Sequence, residues 1–431
     1  MGNKVVLIFS GIFLLVTLFG YVFASKRGAG IAPTQMAVSG TTKPTQASEQ
    51  RHEGEKFPKI IQAHNPSIQY VHGYAGKKYP PEWIQHPALI EGYTVLQLTT
   101  SKAEDSKFYL TTESYFPDLN AVAFVSNRTG VWNIFYCDLS TGEITQVTDF
   151  PPEVIGNGHG SVCSFTTNEV IYFYNPDSSL RRVNLLTYKD TELYRLPEGY
   201  DKGNSMTTNG DGTIVGITAI KGEKGDVEAS KMIFVGIGGR VVKEVTRVGQ
   251  ELSHVNLNTA GAVPGVIYAR KEIPERKRFY YMSLDGKVDE LVAGERTDRE
   301  GVSHPFWMPN GSKVCYLHSM KYEHTQNWLG LYDVATGKKV EYAKVKDVDM
   351  DVNHDGTLFV GSGKEKDEWL KFWSIEGDTL LPTKIFKHNA KFQGKEIHDV
   401  HNTFIRGTNN VIFNSDGEGN GNVYVLMEQS R

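Results

Sequence analysis

The sequence predicts an all-β protein: a seven-bladed β-propeller closed by an N-terminal strand and preceded by a signal or transmembrane segment. Three observations predict it. The 431 residues include 43 glycines, 21 tyrosines and 21 phenylalanines, a composition that suits short strands and tight turns better than long helices. Residues 116–150, FPDLNAVAFVSNRTGVWNIFYCDLSTGEITQVTDF, read as one antiparallel blade. Weaker copies of that unit recur every ~45 to 50 residues, a propeller-like period too long for a leucine-rich or ankyrin repeat.

Within the clearest unit, a turn leads into a β-rich run from Ala121 to Ser126, and a short loop leads to a second run from Asn133 to Leu139. Ser140-Thr141-Gly142 makes the hairpin turn, and a third run ends at Gln146-Val147-Thr148. Later units open near Ser161, Ser205, His254, His304, Asp349 and His401, with landmarks FYYMSLDG, LGLYDVATG, KFWSIEGD and NVYVLME. The last unit stops at Arg431 before it has a full set of strands, while Thr94–Thr100 matches the outer-strand ending Ile144–Thr148 and has no inner strands before it. The early strand is therefore expected to complete the final blade, leaving no open edge.

Residues 5–24, VVLIFSGIFLLVTLFGYVFA, carry no charge and follow Lys4; the run is about long enough to cross a ~30 Å hydrocarbon layer. Val22-Phe23-Ala24 supplies half of a small-residue cleavage site, so residues 1–24 read as a signal peptide or a membrane anchor. Residues 25–56 are small and polar without an apolar period, a flexible linker. The propeller is expected over 57–431, exported to a periplasmic or extracellular space, with anchoring through residues 4–24 as the alternative to cleavage. The membrane is expected to be touched only through that segment.

Lysine plus arginine total 46 against 50 aspartate plus glutamate, a net charge of -4, so no broad basic field exists for nucleic acid. Cys137, Cys163 and Cys315 form no C-x-x-C pair and read as buried fillers. Nucleophile-elbow, P-loop, H-E-x-x-H and dinucleotide signatures are absent from the sequence. Asp351, Asn353, Asp355 and Gly356 begin a calcium-loop pattern, but its twelfth position is Ser362 instead of glutamate, which favours an ordinary blade turn.

The 116–150 unit resembles the TolB-type propeller repeat, which specifies fold more than chemistry. A more specific resemblance is to the oligogalacturonate lyases, propellers that cleave acidic sugars by β-elimination. It is carried by GKKYPPEW (76–83), TVLQLT (94–99), the 116–150 blade, RFYYMSLDG (278–286), SHPFWMPNG (303–311), DGTLFVG (355–361) and HNTFIRGTNNVIFNSD (401–416). The resemblance implies His304 as the catalytic histidine, in the S-H-x-F-W segment, and Arg278 as its catalytic arginine. It implies a metal centre at Asp349, Glu396, Asp399 and His401, where the family pattern has a histidine, a glutamine and two histidines. His398 is expected to point away from that set. Three ligands have become carboxylates; a set rich in hard oxygen suits Mn2+ or Ca2+. His254, in SHVNLN, is the implied substrate-binding histidine, and Lys107 stands in SKFYL where the family commonly has histidine beside L-Y-F, at the expected sugar-binding rim.

Such a set could perform the elimination. Removing the C5 proton of a uronate leaves negative charge next to its carboxylate, which a cation and a protonated arginine both offset. An imidazole, ordinary pKa ~6.5, accepts a proton near neutrality. The expected partner is thus an acidic oligosaccharide. The rival reading is a non-catalytic TolB-like propeller that binds glycans or envelope proteins, with His304 a hydrogen-bonded strand residue and Arg278 part of a solvated hairpin rim.

Overall fold

The strand pattern continues around the chain as seven antiparallel sheets. The computed structural model describes residues 73–429 except 153, 156–158, 224–225, 259–264, 273–275, 295–299, 321–326, 364–366, 377–378 and 392–397. Blade 1 builds outward from an interrupted inner strand, Asp105–Lys107 and Tyr115–Phe116, through Ala121–Ser126, Asn133–Asp138 and Ile144–Gln146, as its alternating apolar runs require, and Lys78–Tyr79 adds an outermost strand. Blades 2 to 6 each have four strands in chain order, opening with Val162–Thr166, Asp201–Thr208, Glu251–Leu257, Glu300–Trp307 and Asp349–Val352. Blade 7 contains Thr403–Phe404, Val411–Ser415 and Asn422–Glu428, to which Tyr93–Gln97 and then Ile84–Pro87 are added. Tyr93–Gln97 runs antiparallel to Asn422–Glu428, with Tyr93 opposite Glu428 and Gln97 opposite Tyr424.

A single blade cannot cover both of its faces, so each packs on its neighbours. Apolar clusters lie between successive blades: Phe116, Val125 and Ile134 of blade 1 meet Val170 and Tyr172 of blade 2. The same holds around the ring to Ile412 and Val423 of blade 7, which pack on Phe124 and Phe135 of blade 1. Burying a large apolar side chain is worth roughly 1.5 to 3 kcal/mol, so each interface is a substantial source of stability. The three cysteines are all buried. At the calcium-loop-like stretch, Asn353 Oδ1 accepts from the N–H groups of Thr357 and Leu358, and Asp355 Oδ1 accepts from Thr357. That is turn chemistry. Among the described residues no helix is long and apolar enough to cross a membrane; residues 4–24 lie outside the described residues.

Candidate active site

Three histidines share an unusual backbone. His254, His304 and His401 adopt φ of 51°, 48° and 45°, the left-handed region that side chains other than glycine enter at some cost. In blades 4 and 5 the cause is a bulge in the first strand. Ser253 and Asn256 pair with Ala269 and Ile267, and Ser303 and Phe306 pair with Leu317 and Cys315, so each first strand carries one extra residue. A bulge re-aims the side chain beside it. His254 and His304 consequently line one small enclosed cavity with Ser205, Met206 and Pro305.

Blade 1 supplies the floor of this cavity in a way the sequence reading did not anticipate. Its first strand is interrupted: Lys107 pairs with Phe124, and the next paired residue, Tyr115, sits opposite Val122. The residues between leave the sheet, and Tyr109, Leu110 and Thr111 reach the cavity that holds His254 and His304. The Tyr109 ring lies 5.0 Å from the His401 ring, edge to face. Leu110 to Glu113 also line a larger cavity of about 780 Å³, together with Asn209, Pro309 and His354 from the turns that follow the first strands. A clue was present in the sequence, since the stretch from Asp105 to Phe116 is long for one inner strand.

Lys107 is fully buried, and its Nζ donates to the Phe108 carbonyl at 2.8 Å. Burial pushes its pKa down to about 8, opposed by Glu113, Asp351 and Asp349. Two of them, Glu113 and Asp351, are half-buried on the wall of the larger cavity, where desolvation raises Glu113 and raises Asp351 to about 6. Lys107 is thus enclosed as a counter-charge to Glu113, Asp351 and Asp349, where the sequence led to the expectation of a substrate contact at the rim.

Asp349 opens the first strand of blade 6 and is almost fully buried. Its Oδ2 accepts from the His401 N–H at 3.3 Å. Its Oδ1 has no hydrogen-bond partner and lies 3.3 Å from His304 Nδ1. Nδ1 of His304 also donates to the Val348 carbonyl. Because a carbonyl only accepts, the neutral ring carries its lone pair on Nε2, the form a base needs. The orphaned Asp349 oxygen is the feature that suits a cation, since a buried carboxylate oxygen without a donor is costly. Among the described residues no three His, Cys, Asp or Glu side chains converge as a metal group, and Glu396 lies outside the described residues.

The remaining expected residues fall as follows. Arg278 is half-buried on the third strand of blade 4, opposite Arg270, which itself pairs with Leu252. That register puts Arg278 at the end of the blade where His254 sits. Asp399 and His401 do not share a strand face as expected: regular pairing begins only at Thr403, and His401 is left-handed. Asp399 is half-buried, with its carbonyl accepting from Asn414 Nδ2 at 3.5 Å. His398 is buried between Glu104 Oε2 at 2.9 Å and Asp416 Oδ2 at 3.3 Å. The structure so brings together His254, His304, Asp349 and His401, adds Tyr109, and assigns Lys107 to the interior.

The sequence and the fold have relatives. Over 384 residues, 81% of this chain and 97% of the other, the sequence is 22% identical to the oligogalacturonate lyase of Dickeya dadantii (strain 3937). The likeness is to oligogalacturonate lyases. The oligogalacturonide lyase of Pectobacterium atrosepticum is likewise 22% identical over 385 residues, with the same coverage. An oligogalacturonate lyase solved in complex with manganese superposes with a TM-score of 0.71 at 19% identity, covering 83% of this chain and 99% of its own. The oligogalacturonate lyase structure from Vibrio parahaemolyticus gives 0.69 at 19% identity, over 82% and 98%. No family model matches the chain. Nearly the whole length of each lyase is covered, so the resemblance embraces the ring and not one blade.

Proposed function

We propose that the chain is a metal-assisted lyase that cleaves short uronate-containing oligosaccharides of the oligogalacturonate type by β-elimination. The observation that carries this reading is His304: a bulge re-aims its ring, the Val348 carbonyl holds Nδ1, and Nε2 is left as the accepting nitrogen. His304 takes the C5 proton. Asp349 faces that ring, with Oδ1 3.3 Å from Nδ1. Arg278, permanently charged, pairs with the substrate carboxylate, and His254 orients the sugar.

Asp349 and His401, with Asp399 and Glu396, are the residues that would hold a divalent ion, manganese before calcium. Such an ion supplies Lewis-acid neutralisation of charge building at the substrate carboxylate. The test is chelation. Dialysis of the soluble protein against EDTA is expected to slow formation of the ultraviolet-absorbing unsaturated product from oligogalacturonate by about 100-fold or more, and Mn2+ is expected to restore it. A rate indifferent to chelation removes the metal from the proposal; a preparation silent with every uronate oligomer removes the lyase.

Two parts of the proposal concern the chain's ends. Tyr93–Gln97 serves as the ring closure, supported by its register on Asn422–Glu428. A version of the protein lacking residues 1–97 should aggregate, because it exposes the long edge of Asn422–Glu428; a monomeric, cooperatively folding product would refute the closure. Residues 1–24 direct export, as signal or anchor, ahead of the 25–56 linker. Fractionation of expressing cells should find the protein outside the cytoplasm, and an exclusively cytoplasmic pool with an intact N-terminus would contradict this.

A further inference from the structure

We propose that Asn256 is a positioning residue of the lyase site, holding the backbone that carries His304 by a hydrogen bond to the Pro305 carbonyl; this rests on the reading of His304 given above. His304 adopts φ 48° and precedes Pro305, whose ring further restricts the residue before it. A backbone in a sparsely populated region persists only where its surroundings fix it. Something must therefore grip the bulge.

The sheet of blade 5 supplies little of that grip. Ser303 pairs with Leu317 and Phe306 with Cys315, which sets His304 and Pro305 together against Tyr316 and interrupts the ladder there. Pro305 has no N–H to donate, and its carbonyl is satisfied from another blade: Asn256 Nδ2 donates to it at 2.9 Å. Asn256 is 3% exposed, and at this residue the first strand of blade 4 regains its pairing after the bulge that contains His254. The Asn256 carbonyl accepts in turn from Trp307 Nε1 at 3.1 Å. Bonds thus run both ways between the two bulged strands.

Few soft torsions separate this bond from the imidazole. The peptide between His304 and Pro305 is planar, and the proline ring locks its own φ near about −65°. Once the Pro305 carbonyl is fixed, one backbone rotation, ψ of Pro305, remains between it and the His304–Pro305 peptide. The Val348 carbonyl holds the other end, at the His304 ring. Backbone and ring of His304 are therefore anchored from blades 4 and 6, on either side of its own.

The chemistry of the side chain supports this role over plain packing. Among the described residues Asn256 Oδ1 has no hydrogen-bond partner, so half of a buried carboxamide goes unused, at a cost. An apolar residue of the same shape would fill the space without that cost. What the carboxamide supplies, and leucine cannot, is the donor to Pro305.

The test compares Asn256→Leu with Asn258→Leu in the full-length protein. Asn258 Nδ2 donates to the Gly311 carbonyl at 3.0 Å, so it joins the same two blades by a like bond, away from the bulge. On oligogalacturonate, Asn256→Leu is expected to lower kcat about 10- to 100-fold with KM little changed, while Asn258→Leu stays near the parent rate. In protein already carrying His304→Asn, Asn256→Leu should leave the residual kcat where it is, because no imidazole remains to be positioned. An equal loss in both leucine variants, or the same further fall in the His304→Asn background, would make Asn256 an ordinary contact between blades and overturn the proposal, as would an unchanged kcat. If Asn256→Leu does not fold, Asn256→Ala removes the same donor and is read in the same way; failure of both to fold marks the residue as structural and also overturns it. A parent protein silent on the oligomer would instead defeat the lyase reading and this inference with it.

Discussion

Replacing His304 with asparagine is expected to lower kcat on oligogalacturonate by about 10²- to 10⁴-fold, with KM changed far less and the melting temperature close to the parent's. The choice of asparagine follows from the backbone. His304 has φ 48°, a conformation asparagine tolerates better than alanine, so the substitution removes the imidazole without adding strain to the bulge between Ser303 and Phe306. Loss of a group that acts only on the way to the transition state shows in turnover more than in substrate affinity. The measurement is initial rate against substrate concentration, beside a thermal melt. A variant that keeps the parent kcat would end the assignment of His304 as base; one that loses kcat only in step with its fold would leave the bulge as a structural device.

The second large effect is on stability. His398→Gln should cost roughly 3 kcal/mol, because breaking one member of a buried ionic group leaves carboxylates uncompensated. The imidazole is 1% exposed, between Asp416 and Glu104. Glu104 precedes the first strand of blade 1, and Asp416 follows Val411–Ser415 of blade 7, so the contact joins parts of the chain that are far apart in sequence. Hydrogen bonds that the imidazole donates to Asp416 and then to Glu104 raise the His398 pKa to about 9. The folded state binds this proton more tightly than the unfolded chain, where a histidine has its ordinary pKa of ~6.5. The stabilisation is complete below about pH 6.5 and fades as pH rises through about 9. Thermal melts of the parent should therefore fall over that interval, and those of the variant should start lower and vary less. Identical slopes for the two proteins would show that His398 is not the group responsible.

Much of the architecture was legible because it is written locally. Ala121–Ser126 and Asn133–Asp138 alternate and are separated by turn residues, so neighbouring side chains suffice to declare the hairpin. The pairing of Tyr93–Gln97 with the C-terminal strand was legible for another reason: an incomplete last unit and a partnerless early strand each expose an edge that the other can cover. The site was only partly legible. The resemblance to the lyases implied His254, His304, Asp349 and His401, and the bulges that aim the first two came from the structure. It misplaced Lys107 at the rim and passed over Tyr109, because both depend on where the first strand of blade 1 leaves its sheet. The expected period-two face of Asp399 and His401 failed for a similar reason, since pairing there begins at Thr403.

From the sequence alone came the repeat and the number of blades, because both follow from short-range patterning and turn chemistry, while the residue types an elimination needs came with the resemblance to the lyases. Which of those side chains meet was decided by tertiary structure. An added residue in the first strand aims His254 and His304, and an excursion between Lys107 and Tyr115 brings Tyr109 to them. Asp349 is held to His401 by a hydrogen bond between adjacent blades. Register across a sheet and packing across a ring are sums over distant contacts, and no window of the chain contains them.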